Sequence, residues 1–371
     1  MSKGTKVAVA FSGGVDSLRA ASVLREKGCE VVALHMRILP SSPGHPLDAR
    51  VLIQQQEDRV RALTSRLDLD LAVVDLREPF QALVVRPFLK GYLEGRTPNP
   101  CTVCNPRVKF GLLLEEARKL GASHLATGHY VKKPEPLDAE GRFGLKRGRD
   151  RAKDQSYFLY GLSQDQLAAS LFPLGESTKE ETLRWAREAG FADFLREESQ
   201  EICFIPSGRY RDLLREWLPE APARGPIVDL GGRVMGSHEG LFGYTVGQRR
   251  GLGIASTAPY YVVRLDPSSN AVVVGRAEDL YRGELEAEHV NWLSIVPPDE
   301  PLEASVRIRN QHVPAPARLF PLHKDRVIVR FREPQRAVTP GQAAVFYRDD
   351  LLLGGGVIHK AEAGMQNDEV P

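Results

Sequence analysis

The hexapeptide Ser12-Gly13-Gly14-Val15-Asp16-Ser17 has the residue types that hold phosphates. Two glycines let the backbone approach an anion and turn successive N–H groups toward it. Ser12 and Ser17 add hydroxyl donors, and a helix beginning here adds its dipole. The loop lacks the Gly-Lys-Ser/Thr of a Walker A motif and the glycine spacing of a dinucleotide fingerprint. Asp16 is the natural oxygen donor for a Mg2+ bridging phosphates, since that ion takes hard ligands. The competing reading is a plain glycine-rich turn capped by Ser and Asp.

Three of the four cysteines could also do chemistry. Cys101-Thr102-Val103-Cys104 is a C-x-x-C in a proline-rich stretch. Asn105 reads as a helix N-cap and Pro106 as the first helical residue. That places Cys104 just before a helix N-terminus, where the thiolate is favoured. Cys203 lies in Ile202-Cys203-Phe204-Ile205-Pro206, a loop or strand end. Several readings stay open. Cys203 could carry a persulfide sulfur that Cys104 attacks. The three thiolates could hold an iron–sulfur cluster. Structural zinc is short of its usual four ligands, and plain packed thiols are the bland alternative. Cys29 reads as a small buried residue opening a strand.

The elements that must position these groups alternate strand and helix over the first 130 residues. Lys6–Phe11, Glu30–Leu34, Leu71–Leu76 and His124–Thr127 read as strands. Ser17–Lys27, Gln54–Leu67, Pro79–Leu93 and Pro106–Leu120 read as helices, with Gly28 and Gly121 at two C-termini. Pro87 is expected to kink its helix. This is a parallel sheet with right-handed crossovers, and the Ser12–Ser17 loop sits at a strand's carboxyl end, where such sheets bind ligands. Gly95–Asn105 reads as irregular, and the stretch to about Leu195 as mainly helical. Beyond Ser207, short β-branched runs separated by Gly and Pro suggest small antiparallel barrels or sheets. Leu39–Pro46 and Lys132–Arg142 read as surface loops, and Ala361–Pro371 as a disordered tail.

With 371 residues, two or three domains are expected, at ~150 residues each. The chain is 42% hydrophobic and 26% charged, and 50 Lys+Arg against 48 Asp+Glu leave a net charge of +2. That excludes a histone-like basic coat but not a local basic face for nucleic acid. No apolar run approaches the ~20 residues of a membrane helix. The polar start, Met1–Lys6, reads as no signal peptide, so a cytoplasmic location is expected.

Ser-Gly-Gly-Val-Asp-Ser resembles the signature of the ATP-pyrophosphatase loop superfamily, whose members split ATP and adenylate a substrate oxygen. Further segments resemble the bacterial tRNA-specific 2-thiouridylase family. They are Gly-Arg-Thr-Pro-Asn-Pro (95–100), Cys-Asn (104–105), Val-Lys-Phe (108–110), Ala-Thr-Gly-His-Tyr (126–130) and Lys-Asp-Gln-Ser-Tyr-Phe-Leu (153–159). Ile-Cys-Phe-Ile (202–205), Gly-Gln-Arg-Arg-Gly-Leu-Gly (247–253), Arg-Ala-Val-Thr-Pro-Gly-Gln (336–342) and Leu-Gly-Gly-Gly (353–356) follow in order, so the resemblance spans nearly the whole chain.

The resemblance implies thiolation of C2 of the wobble uridine, position 34 of tRNA, using ATP and Mg2+. It implies an α/β parallel-sheet catalytic domain of the adenine nucleotide alpha hydrolase kind (1–207), a central β-rich domain (208–283) and a C-terminal β-barrel (284–371). Ala10, Phe11, Ser12, Gly13, Gly14, Val15, Asp16, Ser17, Met36 and Gly128 would contact ATP. Asn99, Pro100 and Cys101 would line the pocket for the flipped base. Cys104 would be the nucleophile and Cys203 the persulfide carrier. His129, Lys153, Asp154, Gln155, Arg309, Asn310 and Gln342 fall where the family touches tRNA.

A separate sulfur-donor protein and a monomeric state are also implied. Cys101 stands where many members carry aspartate, which keeps a 4Fe-4S cluster on Cys101, Cys104 and Cys203 open beside the relay. Asn310 replaces a common tyrosine, and no Asn-Trp follows Met36. Arg249 and Arg250 in the Gly247–Gly253 turn, and Arg307, Arg309 and Arg318, could bind phosphate. Two rivals remain. An amidating ligase would have no use for the cysteines, and a non-catalytic RNA-binding or sulfur-carrier protein would not need the loop.

Overall fold

The computed structural model describes residues 3–39, 49–195, 202–205, 214–215, 217–219, 224–323 and 325–362. The first sheet is built by β1 (Lys6–Ala10), α1 (Val15–Glu26), β2 (Glu30–Arg37), α2 (Ala49–Arg66) and β3 (Asp70–Asp75). A broken helix follows: α3 (Arg77–Phe80), a π-turn at Gln81–Val85 and α4 (Arg86–Leu93). Next come α5 (Pro100–Cys104), a π-segment Asn105–Leu113, α6 (Leu114–Lys119), β4 (His124–Ala126), β5 (Val131–Lys132), β6 (Leu145–Arg147), α7 (Gln164–Ala168), β7 (Ser170–Leu171) and α8 (Lys179–Glu188). The remainder is strands: β8 (Gly225–Asp229), β9 (Val234–His238), β10 (Tyr261–Asp266), β11 (Ala271–Gly275), β12 (Tyr281–Trp292), β13 (Leu302–Arg307), β14 (Ala315–His323), β15 (Arg326–Arg336), β16 (Ala343–Arg348) and β17 (Leu351–Glu362).

The first sheet runs β3-β2-β1-β4-β7, all parallel. Alternation along β1 feeds two cores. Val7 and Val9 pack with Leu18, Leu24 and Leu63 on one face, and Ala8 packs with Phe80, Phe88 and Leu113 on the other. The strand order reverses between β2 and β4 on either side of β1, the switch point at which open α/β sheets leave a crevice. A second, four-stranded sheet (β10-β11-β8-β9) follows. The third closes on itself through β12–β17 pairing, giving a barrel of β12, β15, β14, β13, β16 and β17.

Three expectations need correction. Asn105 is no N-cap: it is helical, and the helix starts six residues earlier, with Asn99 accepting from the Cys101 N–H at 3.1 Å and Pro100 leading the first turn. Asn-Pro occurs at both places, and the earlier pair wins. Pro106 then lies inside the helix, where its missing N–H falls in the π-segment; Pro87 likewise follows a π-turn. The second correction concerns Gly95–Asn105, which is not wholly irregular. The third concerns the stretch to Leu195, which holds β5, β6 and β7 as well as helices. These strands of two or three residues have no periodicity of their own and exist by pairing: β7 with β4, and β6 with β17 of the barrel. Most of Leu39–Pro46 and of the tail lies outside the described residues.

Candidate active site

After β1 the chain turns through Phe11–Gly14 into α1. Gly13 has φ +78°, a left-handed conformation that glycine adopts cheaply. Gly14 is the N-cap; its N–H donates to Ser12 Oγ at 3.3 Å, and Ser17 Oγ donates to the Gly14 carbonyl at 2.8 Å. The loop is thus shaped before any ligand arrives, with a twelve-residue helix behind it. The loop after β4 closes on it from across the switch point. A Cβ on Gly128 would lie 2.7 Å from the Asp16 carbonyl carbon, so no side chain fits there.

Asp16 is held from the far side. Lys179 Nζ donates to both its oxygens, at 2.7 and 2.8 Å, and the Tyr130 hydroxyl donates to one at 2.9 Å. Lys179 opens α8 and is 8% exposed; Tyr130 also meets the Thr182 hydroxyl at 2.9 Å. The carboxylate is the right donor type for Mg2+, but its oxygens are already engaged. A metal bridging phosphates would share or displace the ammonium.

One cavity of about 370 Å3 gathers most of the expected residues. Ala10, Phe11, Ser12, Asp16, Ser17, Met36 and Gly128 line it together with Pro100, Cys101, Cys104, His129, Gln155 and Cys203. Gly13, Gly14 and Val15 shape the loop, and Asn99 caps the helix that carries Cys101 and Cys104. Lys109, on the π-segment one turn beyond Cys104, also lines the cavity.

Cys101 and Cys203 open onto the cavity, and Cys104 is buried in its wall. The expectation of an acidified Cys104 does not hold. It is the last residue of α5 and the helix continues beyond it, so the N-terminal amides lie a turn away. Although Cys101 and Cys203 open onto the cavity, the protein atoms packed around its wall desolvate all three thiols and push them up, Cys203 to about 12, with Cys101 and Cys104 beside it adding to the rise. The Lys109 ammonium pulls each of them down, by less. Among the described residues no group of three His, Cys, Asp or Glu is arranged to hold a metal ion. Cys101, Cys104 and Cys203 share the lining of one pocket.

His129 is buried, its Nδ1 2.8 Å from the Thr127 hydroxyl, and its ring lies near Phe110 and Phe172. Burial, assisted by Lys109, holds its pKa well below the ordinary histidine value, so it is neutral near pH 7. Asp154 does not present its charge to solvent. Its carboxylate is buried and accepts from the Gly148 and Ser156 N–H groups, the Ser156 hydroxyl (3.0 Å) and Arg307 Nη1 (2.9 Å). Arg307 is correspondingly no free phosphate ligand. Arg309 donates to the Arg336 carbonyl at 3.1 Å, and the Asn310 carbonyl accepts from Arg307. Gln342 donates to the Thr97 carbonyl at 2.7 Å. Lys153 is partly exposed, and Arg249, Arg250 and Arg318 are exposed.

Sequence reasoning missed Lys179, Tyr130 and Lys109. Lys179 lies 163 residues from its partner, and no local signal marks it. Lys109 lies five residues after Cys104, which is off the same face of an α-helix, and comes round to the cavity because Asn105–Leu113 is a π-segment.

Comparison with known proteins bears on the family and its domains. Residues 5–207 match the tRNA methyl transferase HUP domain, 211–276 the tRNA methyl transferase PRC-barrel domain and 282–358 the aminomethyltransferase beta-barrel domain. The tRNA-specific 2-thiouridylase MnmA of Geotalea uraniireducens is 44% identical over 97% of this chain and 96% of its own. That of Carboxydothermus hydrogenoformans is 46% identical over 96% and 98%. Among solved structures, the U34-tRNA thiolase NcsA from Methanococcus maripaludis with its 4Fe-4S cluster is a remote likeness, at 17% identity and TM-score 0.35 over 59% of this chain and 67% of that one. With identity this high over almost the full length of both chains, the chain belongs to the tRNA-specific 2-thiouridylase family.

Proposed function

We propose that the chain transfers sulfur to C2 of the wobble uridine of tRNA in an ATP-dependent reaction through Cys203 and Cys104. The single observation that carries this reading is that the phosphate loop and three thiols face one cavity at the sheet's switch point. An amidating ligase would need the loop but not the thiols.

The chemistry explains the pairing. The C2 oxygen of uracil is a poor leaving group; transfer of AMP from ATP to it releases pyrophosphate and makes it a good one. The α1 N-terminus and the Ser12 and Ser17 hydroxyls hold the phosphates. Mg2+, when bound, would neutralise charge on the leaving pyrophosphate, with Asp16 as its protein ligand.

A donor protein loads Cys203 as a persulfide. Its terminal sulfur loses its proton, attacks C2 and expels AMP, leaving the base joined to Cys203 through an S–S bond. The Cys104 thiolate then attacks Cys203 Sγ. That bond breaks, 2-thiouridine leaves, and a Cys104–Cys203 disulfide forms. An external thiol reductant resets it. Lys109 stabilises the thiolate that attacks, the step made costly by burial.

The target base turns out of its stack into the region of Asn99, Pro100 and Cys101, since loop bases are read unstacked. Residues 1–207 carry the chemistry. The parts beyond, 208–283 and 284–371, hold a substrate as large as tRNA through Arg309, Asn310 and the exposed Arg249 and Arg250, and Lys153 adds a contact from within 1–207.

The test is nucleoside analysis of unmodified tRNA after incubation with ATP, Mg2+ and a persulfide-generating donor. 2-Thiouridine is expected from the wild type and none from Cys203→Ser. Full thiolation by Cys203→Ser overturns the assignment.

A further inference from the structure

The segment Gly95–Pro98 leads directly into the Asn99 cap and the helix turn that presents Cys101. Both other sheets hold it. From the central sheet, the β10–β11 turn packs on Gly95: a Cβ there would lie 2.7 Å from Pro267 Cγ. From the barrel, Glu288 Oε1 accepts from Arg96 at 2.9 Å. The β15–β16 connection grips Thr97 at both ends of its peptide. The Thr97 N–H donates to the Pro340 carbonyl at 2.9 Å, and Gln342 Nε2 donates to the Thr97 carbonyl at 2.7 Å. Between them Gly341, at φ +91°, lies so close that a Cβ would sit 2.9 Å from the Thr97 nitrogen.

This turn is itself fixed to the barrel wall. The Gly341 N–H donates to the Ile358 carbonyl, and the Ile358 N–H to the Gln342 carbonyl. Two residues past Thr97, the Asn99 side chain accepts from the Cys101 N–H at 3.1 Å. A chain of hydrogen bonds, bridged by the two residues of backbone from Thr97 to Asn99, thus runs from β17 through Gln342 to the cap of α5.

We infer that Gln342 is a positioning residue. By holding the Thr97 carbonyl it sets the pose of Asn99 and Cys101, so the barrel completes the catalytic pocket rather than only gripping tRNA. As a statement about thiolation this rests on the proposed function; as a statement about Cys101 it does not. Its amide nitrogen is committed to the Thr97 carbonyl, so its role does not depend on touching RNA.

Three readouts test the inference on the full-length chain. They are the rate of iodoacetamide alkylation at Cys101, referenced to Cys29 by peptide mass spectrometry without tRNA; tRNA affinity; and the single-turnover thiolation rate at saturating tRNA. Gln342→Met keeps the length and adds no charge but removes the donor to the Thr97 carbonyl. Losing one such hydrogen bond shifts a local equilibrium by about tenfold.

The expected result is a several-fold change in Cys101 alkylation and about tenfold slower thiolation, with tRNA affinity unchanged within twofold. Gly341→Ala, which presses on Thr97 from the barrel side, is expected to change Cys101 alkylation as well. Weakened tRNA binding with unchanged Cys101 reactivity makes Gln342 a direct RNA contact and overturns the inference. So does a variant that leaves all three readouts unchanged. If the wild type thiolates no tRNA, the proposed function fails, while the alkylation readout still decides whether Gln342 positions Cys101.

Discussion

Alkylation of Cys203 as a function of pH puts the electrostatics of the pocket to a direct test. Burial raises this thiol from 9.0 to about 12. The raised value disfavours the thiolate, so near pH 8 it is ionised about a thousandth as often as an ordinary thiol. A more basic thiolate is intrinsically more nucleophilic. With a Brønsted coefficient of about 0.4–0.5, three decades of basicity recover roughly 15–30-fold. The net expectation is iodoacetamide labelling about 30–60-fold slower than a free small-molecule thiol of ordinary pKa. The logarithm of the rate should climb by about one per pH unit from pH 7 to 10 without levelling. Peptide mass spectrometry of quenched samples reads this site by site. Lys109→Met should slow Cys203 further, since that ammonium is the cation lowering it. A plateau near pH 7, or labelling as fast as the free thiol, would refute the argument that burial dominates here.

Other variants probe the remaining links. Arg307→Met leaves the Asp154 carboxylate buried without its close partner, Arg147 being 3.7 Å away; a loss of about 3–5 kcal/mol is expected in urea unfolding, and a loss below about 1 kcal/mol would contradict the buried-pair reading. Lys179→Met removes a charge-assisted contact of about 1.5–3 kcal/mol to Asp16, so tRNA-dependent pyrophosphate release should fall about 10–100-fold; unchanged release would make Lys179 a tether only. Gly128→Ala forces the β1 and β4 loops apart and should weaken ATP binding, measured calorimetrically, by about 1–3 kcal/mol, with native affinity refuting the close approach.

The parts of the site that were legible in the sequence are those written contiguously. The phosphate loop is six consecutive residues between an apolar strand and an amphipathic helix, and the structure puts it where that order dictates. The cysteines were legible as residue types, but their ionisation was not. It follows from how many atoms the fold packs around them, which no local pattern encodes. The start of the Cys101–Cys104 helix was misread because Asn-Pro occurs twice, and only the tertiary setting selects Asn99 over Asn105. Asp154 beside Lys153 looks like surface charge until β13 of the barrel delivers Arg307 from 153 residues away. Lys179 and the Gln342–Thr97 link are invisible for the same reason: long separations meet only through topology.

The most direct test of the central claim is anaerobic single-turnover thiolation by protein purified without oxygen, with iron quantified in the same sample. Unmodified tRNA, ATP and Mg2+ are added to protein preloaded with persulfide on Cys203. The account predicts one 2-thiouridine per loaded Cys203, a Cys104–Cys203 disulfide in the product and full activity in iron-free protein. It predicts no transfer from Cys104→Ser carrying the same persulfide. Thiolation that requires iron bound to the pocket cysteines, or that proceeds undiminished in Cys104→Ser, would contradict it.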